Sequence, residues 1–329
     1  MHIGNFLGQI KTAQKIIITT HLVPDADGIG SQIALCLALK SMGKQVHCVN
    51  EEALLDRYFY LDHGGQVIDQ GSFKRLNPQF EPDLLIVVDT NAVVRTGTKM
   101  QKYVAKSKNL LFIDHHPCPA ALKALHCIDI TAAATGQIVG ELIETLGVPF
   151  TKEIALPLYT AILIDTSSFR YPTVTGRTHY LLGKLLDTGI SPPEAYNKIY
   201  GTKTLGHMQL LGTILGRTHI SPSGKIGWIY FSDQEVFEVR CQIEDTHAFI
   251  NNLLVLDNIH VACMFRDLGG NKVKISFRSS GPVDVGDIAM AFGGGGHNHA
   301  SATVLEGSLE EVIEKTIGRI EIILAQAET

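Results

Sequence analysis

The strongest constraint on this chain is a series of short, nearly unbroken apolar runs, several of which end on an acid or a histidine. Residues 16–20 read IIITT and lead into His21. The run LLIVV within residues 83–89 ends on Asp89, and LLFI within residues 110–114 leads into Asp114, His115 and His116. Runs this short, rich in β-branched residues and without polar alternation, fit strands covered on both faces, the state of strands in a parallel sheet. Residues 45–50 form a further strand candidate. Apolar residues at helical spacing over 31–42, stopped by Gly43, and again over 135–146 and 152–164, supply the crossovers that parallel strands require. The expected fold class is therefore α/β, with an N-terminal parallel sheet carrying helices on both faces.

Near residue 188 the texture changes. The stretch TGISPPEAYNKIYGTKTLG holds a Pro pair and several Gly, Ser and Thr residues, a set of breakers typical of a boundary. The chain is expected to divide into a catalytic domain at 1–188, a linker at 189–210 and a second domain at 211–329, with a helix within 205–217 as connector. Strand candidates at 226–231, 259–265 and 272–277, with helices near 284–291 and 309–325, make the second domain a smaller mixed α/β unit.

With 33 acidic against 28 basic side chains, the net charge is −5. Proteins that grip long nucleic acid carry a basic surface, because phosphate neutralisation supplies most of the affinity. The balance argues against long strands and leaves small anionic substrates open. The six cysteines form no C-x-x-C pair and read as reduced packing residues. No run approaches a membrane span of about 20 apolar residues, and the first residues lack an apolar core followed by a small-residue cleavage site. The expected location is cytoplasmic, with no membrane partner. The sequence is compatible with a homodimer and does not require one.

Acids and histidines fall at the carboxyl ends of four separate apolar elements: His21, Asp25 and Asp27; Asp89; Asp114, His115 and His116; and Asp165 after ALPLYTAILI. In open parallel sheets the crevice outside the carboxyl ends of the strands is where ligands bind, so these segments deliver their polar groups to one place. A lone Asp there is usually a cap or turn former; four coincident cases are not explained that way. Imidazole and carboxylate donors suit divalent ions such as Mn²⁺ or Mg²⁺, whereas a structural zinc would draw on thiolates. Six donors exceed the needs of one ion and fit two sharing a carboxylate, with Asp89 the candidate bridge. The acids in HLVPDADGIG also exclude a dinucleotide-binding turn, which needs glycines and no charge beside a pyrophosphate.

The segments HLVPDADGIGS at 21–31, VDT at 88–90, DHH at 114–116 and DTSSFR at 165–170 resemble the four signature motifs of the DHH phosphoesterase family. FRSS at 277–280 and GGGGHNHASA at 293–302 resemble its associated substrate-binding domain. These motifs span nearly the whole chain, and the short two-domain members they most resemble are the bacterial nanoRNases, which also dephosphorylate 3′-phosphoadenosine 5′-phosphate (pAp). The resemblance implies two divalent metal ions, Mn²⁺ first, with Mg²⁺ or Co²⁺ as alternatives. His21, Asp25 and Asp89 would hold one, and Asp27, Asp89, His115 and Asp165 the other. It also implies attack by a hydroxide shared between the ions, with His116 assisting the leaving group. Ser167 stands where the fourth motif usually has Gly, and Pro117, Cys118 and Pro119 replace a polar stretch after DHH.

For the second half of the site, the run Gly293–Gly296 favours close backbone approach and exposed N–H groups. Gly294, Gly295, Gly296 and His297 are expected to contact substrate, together with Arg278 and Ser279. Arg170 is a weaker candidate for a phosphate clamp. Residues 131–135 can be read as an ordinary helix start or as site lining. The expected activity is cleavage of short oligonucleotides to mononucleotides, removal of phosphate from pAp, or both. The alternatives are a phosphodiesterase of linear or cyclic dinucleotide second messengers, or a nucleotide sensor without catalysis.

Overall fold

The computed structural model describes residues 4–118, 124–201, 203–241 and 243–327. The chain divides into two compact units, Met1–Thr202 and Lys203–Thr329.

The first unit begins with helix α1 (Gly4–Thr12), strand β1 (Lys15–Thr19), helix α2 (Ala26–Ser41) and strand β2 (Gln45–Asn50). These are followed by β3 (Val67–Asp69), α3 (Gln70–Leu76), β4 (Leu84–Val88), α4 (Thr98–Lys106), β5 (Leu110–Asp114) and β6 (Leu125–Ile128). Four helices close it: α5 (Thr135–Thr145), α6 (Lys152–Asp165), α7 (Gly176–Leu186) and α8 (Pro192–Tyr196). The strands lie in the order β3-β2-β1-β4-β5-β6 and every pairing is parallel. This is the doubly wound arrangement, and its order reverses between β1 and β4.

Strand parity builds the two covering layers. Ile16, Ile18, Leu84, Ile86, Val88, Leu111 and Ile113 point into the core shared with α2, α5 and α6. Ile17, Leu85, Val87 and Phe112 point to the opposite core, against Phe73, Met100 and Val104 of α3 and α4. Strands β3 and β6, which the sequence reading passed over, are short edge strands with partly exposed residues, so they lack the unbroken apolar signal.

Helix α2 is buried through almost its whole length and packs on α6. The contact depends on Gly30, where an added Cβ would lie 2.3 Å from the Pro157 carbonyl oxygen. That obstacle is backbone and cannot swing aside. Gly30→Ala is expected to destabilise the protein by about 2–3 kcal/mol, measurable as a lower urea midpoint with an unchanged m-value.

The second unit contains α9 (Leu205–Leu215), β7 (His219–Ile220), β8 (Ile226–Ser232), α10 (Asp233–Glu238), a 3-10 segment at Ile243–Val255, β9 (Val261–Asp267) and β10 (Lys272–Ser279). It ends with α11 (Val285–Ala291), β11 (Gly295–His297), β12 (Ala300–Glu306) and α12 (Leu309–Ala327). Its sheet has the order β11-β12-β10-β9-β8-β7 and is mixed, with β8 and β9 parallel and the other pairs antiparallel. One face packs on α11 and α12. The other is partly covered by α9 and the 3-10 segment. Both units thus have the expected α/β character. Among the described residues the cysteines form no disulfide, and no helix is long and apolar enough to cross a membrane.

Candidate metal centre

The donor residues sit where the sheet order reverses. His21 lies just past β1, Asp25 and Asp27 begin α2, Asp89 follows β4, Asp114 ends β5 with His115 and His116 beyond it, and Asp165 closes α6. His21 Nε2 lies 3.3 Å from Asp89 Oδ2. His115 Nε2 lies 3.2 Å from Asp165 Oδ2 and 4.0 Å from both Asp27 Oδ2 and Asp89 Oδ1. Three overlapping sets have donor atoms within 4.8 Å of one another: His21, Asp25 and Asp89; Asp27, His115 and Asp165; Asp89, His115 and His116. Asp89 belongs to two of them, with Oδ2 facing His21 and Oδ1 facing His115.

Local structure fixes each donor. Asp25 is the N-cap of α2, its Oδ1 accepting from the amides of Asp27 (2.9 Å) and Gly28 (3.2 Å). Here the commonplace role of a lone Asp and membership of the cluster coexist. Asp27 accepts at Oδ2 from the Thr135 amide and at Oδ1 from the Gly136 amide, both at 2.8 Å, so the start of α5 holds it. Thr135 Oγ1 also donates to Asp89 Oδ1 at 3.0 Å. Asp89 itself has φ +61, a left-handed conformation that only Asn, Asp and Gly adopt with ease. Gly28 keeps space beside it: a Cβ there would lie 2.5 Å from Thr20 Oγ1 and 3.2 Å from Asp89 Oδ2.

The electrostatics follow from burial. Asp27 and Asp89 are only 1% and 2% exposed, and neighbouring carboxylates surround them. Desolvation, then repulsion from Asp25, pushes Asp27 up to about 7. Desolvation and the nearby acids also push Asp89 and Asp165 well above the carboxylate range. Burial lowers the His21 pKa, keeping its imidazole neutral and able to donate a lone pair. Buried acids that repel one another are stabilised by divalent cations, and carboxylate and imidazole are the donor types such ions accept. The residues present fit such ions.

Three groups outside the expected donor set shape the centre. Asp114, fully buried, is absent from the donor sets; its Oδ1 lies 2.7 Å from His116 Nδ1 and also accepts from the His116 amide. Asn91 Nδ2 donates to Asp114 Oδ2 at 2.9 Å and to the carbonyls of His116 and Pro117. Within residues 131–135, Thr135 both opens α5 and touches Asp89, while Thr131 bonds locally to Asp129. The Asn91 and Thr135 contacts join segments far apart in the chain and carry no local sequence signal, whereas Asp114 and His116 are two residues apart and only the ring placement reveals their pairing.

Several of the expected substrate contacts make hydrogen bonds within the protein. Arg170 is engaged by its own turn, Nε donating to Ser167 O (2.8 Å) and Nη2 to Ser167 Oγ (2.9 Å). Ser279 lies on the opposite face of β10 from Arg278; its buried hydroxyl donates to Val283 O at 2.7 Å, because successive strand residues face opposite ways. The glycine run is not an open nest. The Gly293 and Gly294 amides donate to Met290 O and Ala289 O, closing α11, while Gly295 and Gly296 enter edge strand β11. The reason for glycine is approach: a Cβ on Gly294 would lie 2.2 Å from Ala302 O, and one on Gly296 2.5 Å from Ala300 O. His297 is in β11, and its side chain lies outside the described residues.

Residues 15–162 match the DHH family, N-terminal domain, and residues 241–324 match the DHHA1 domain. The chain belongs to the DHH family. It is similar to a protein of Thermus thermophilus named a bifunctional oligoribonuclease and PAP phosphatase, with 29% identity over 95% of this chain and 91% of that one. A Bacillus subtilis protein of the same name shares 27% identity over 87% and 88%. A crystal structure from Bacteroides fragilis, described as an exopolyphosphatase-related protein, superposes with a TM-score of 0.89 at 27% identity, covering 98% of this chain and 97% of that one. Against the usual DHH pattern, Ser167 replaces Gly at φ +49, the first of three consecutive left-handed residues, Ser167, Ser168 and Phe169. The Arg170 contacts to Ser167 brace this turn directly after Asp165.

Proposed function

We propose that this DHH protein is a two-metal phosphoesterase that hydrolyses short oligonucleotides to mononucleotides and removes phosphate from pAp. The observation that carries the reading is the position of Asp89 between the His21–Asp25 and Asp27–His115–Asp165 sets, at the sheet's order reversal. The names of the Thermus and Bacillus relatives support the substrate class.

Two divalent cations, when bound, supply Lewis acidity and activate a water near neutral pH. The chain's own groups do the rest. Five aspartates (Asp25, Asp27, Asp89, Asp114 and Asp165) would repel a phosphate, so the site admits one only when their charge is neutralised. Thr135 and the first amides of α5 hold Asp89 and Asp27 in place, which avoids reorganisation during reaction. Asp114 engages His116 Nδ1 and thereby orients the ring, leaving Nε2 to meet the departing oxygen. Mn²⁺ is the first choice of ion because the donors combine carboxylates with imidazoles; Mg²⁺ and Co²⁺ are the alternatives. The acidic net charge favours short substrates over long strands.

The deciding assay is nucleotide release from di- to decanucleotides, pAp, and linear and cyclic dinucleotides, with Mn²⁺, Mg²⁺ or Co²⁺. The expected result is hydrolysis of pAp and of short oligonucleotides, with rates falling as length increases. Hydrolysis confined to cyclic or linear dinucleotides would replace the reading with a second-messenger phosphodiesterase. Binding without turnover under every ion would leave a sensor.

A further inference from the structure

Strand β10 alternates buried Val273, Ile275, Phe277 and Ser279 with Lys272, Lys274, Ser276 and Arg278 on its other face. Cross-strand neighbours are set by register. Arg278 lies opposite Ala262 of β9 and Ala300 of β12, Ser276 opposite Met264 and Ala302, and Lys274 opposite Arg266 and Val304. On the β12 side of Ser276 and Arg278 the two alanines leave a shallow strip.

The charges on this strip are unusual. Arg266 and Lys274 are directly opposed, an arrangement that is destabilising in a bare sheet. Arg266 is compensated by both oxygens of Asp233. Lys274, half-buried, has no carboxylate partner among the described residues, and Lys272 lies opposite Glu306 at the end of the strip. Partial burial and the charges of Arg266 and Arg278 lower the Lys274 pKa, the mark of a site short of negative charge.

We propose that Arg278, Ser276 and Lys274 form a track for successive phosphates of a short nucleotide strand, with Lys274 reading substrate length. Residues on one face of a strand recur about every 6.7 Å, comparable to the spacing of phosphates along an extended nucleotide strand. Lys274 therefore stands roughly 13 Å from Arg278, beyond the reach of pAp but within that of a tri- or tetranucleotide. This specificity role rests on the phosphoesterase reading above.

The test compares wild type with Lys274→Gln and Lys274→Arg on a 5′-phosphorylated tetranucleotide and on pAp, with Mn²⁺. Lys274→Gln is expected to raise KM for the tetranucleotide about five- to tenfold with kcat held. KM for pAp should stay within about twofold, and Lys274→Arg should restore tetranucleotide KM. Binding of a phosphorothioate tetranucleotide should lose about one unit of salt slope in Lys274→Gln. An unchanged tetranucleotide KM and salt slope, or an equal loss on pAp, overturns the assignment. Should wild type hydrolyse neither substrate, the phosphoesterase reading fails, and the binding arm still decides whether Lys274 contacts the strand.

Discussion

Asp89→Asn is expected to lower hydrolysis by at least about a thousandfold while making the metal-free protein more stable at pH 8. The two effects share one cause. Asp89 is nearly fully buried among Asp27, Asp25, Asp165 and Asp114, and its pKa is raised by desolvation and by those charges. Removing its charge relieves repulsion in the empty site but withdraws the one carboxylate shared between donor sets facing opposite ways. Asn is nearly isosteric, tolerates φ +61 and can still accept from Thr135 Oγ1, so the fold has no reason to suffer. Activity on pAp and thermal melting in EDTA check the two effects, and metal stoichiometry by calorimetry checks their common cause. A variant that melts lower than wild type in EDTA at pH 8 would contradict the account of the buried charge.

The second large effect is a reversal of pH dependence by metal. Asp27 moves from 3.8 to about 7 in the folded protein, chiefly through desolvation, and Asp89 and Asp165 are raised as well. A carboxyl whose folded pKa exceeds its unfolded value contributes stability that is fully present below the unfolded pKa and is lost as pH climbs through the folded one. The window for Asp27 is therefore pH 3.8 to about 7, and its share is on the order of 4 kcal/mol. His21, with a lowered pKa, acts in the opposite sense below 6.5 and offsets part of this. The metal-free protein should melt on the order of 10 °C higher at pH 5 than at pH 8. Divalent cations compete with protons for the same oxygens, so adding Mn²⁺ should raise the melting point at pH 8 and do little at pH 5. A flat profile in EDTA between pH 5 and 8 would rule this out.

Much of the first unit was legible because a parallel sheet writes itself as unbroken apolar runs, as in IIITT and LLIVV. The donor residues stood out because doubly wound topology sends strand ends to one edge, and the structure brings His21, Asp25, Asp27, Asp89, His115 and Asp165 together there. What escaped was set by register, by long-range pairing and by the orientation of single rings. The hold of Thr135 on Asp89 spans 46 residues, and the pairing of Asp114 with His116 became visible only with the ring placed. Ser279 follows Arg278 in the FRSS motif, and adjacency in a strand puts the two on opposite faces. The residues sharing a face with Arg278 are Ser276 and Lys274, two and four positions away. The glycine run signals close backbone approach in the sequence, and the structure supplies such an approach within the sheet, where Gly295 and Gly296 form half of the run in edge strand β11.

Asp25 ties the start of α2 to the cluster, and Gly30, five residues on, seats the same helix against α6. Scaffold and chemistry therefore draw on the same few residues. A designer seeking a hardier variant has little freedom along this helix: any shift along its axis that improved packing would drag a donor out of position. Improvements in robustness have to be sought on surfaces remote from it, such as the solvent side of α12 or the rim of α3.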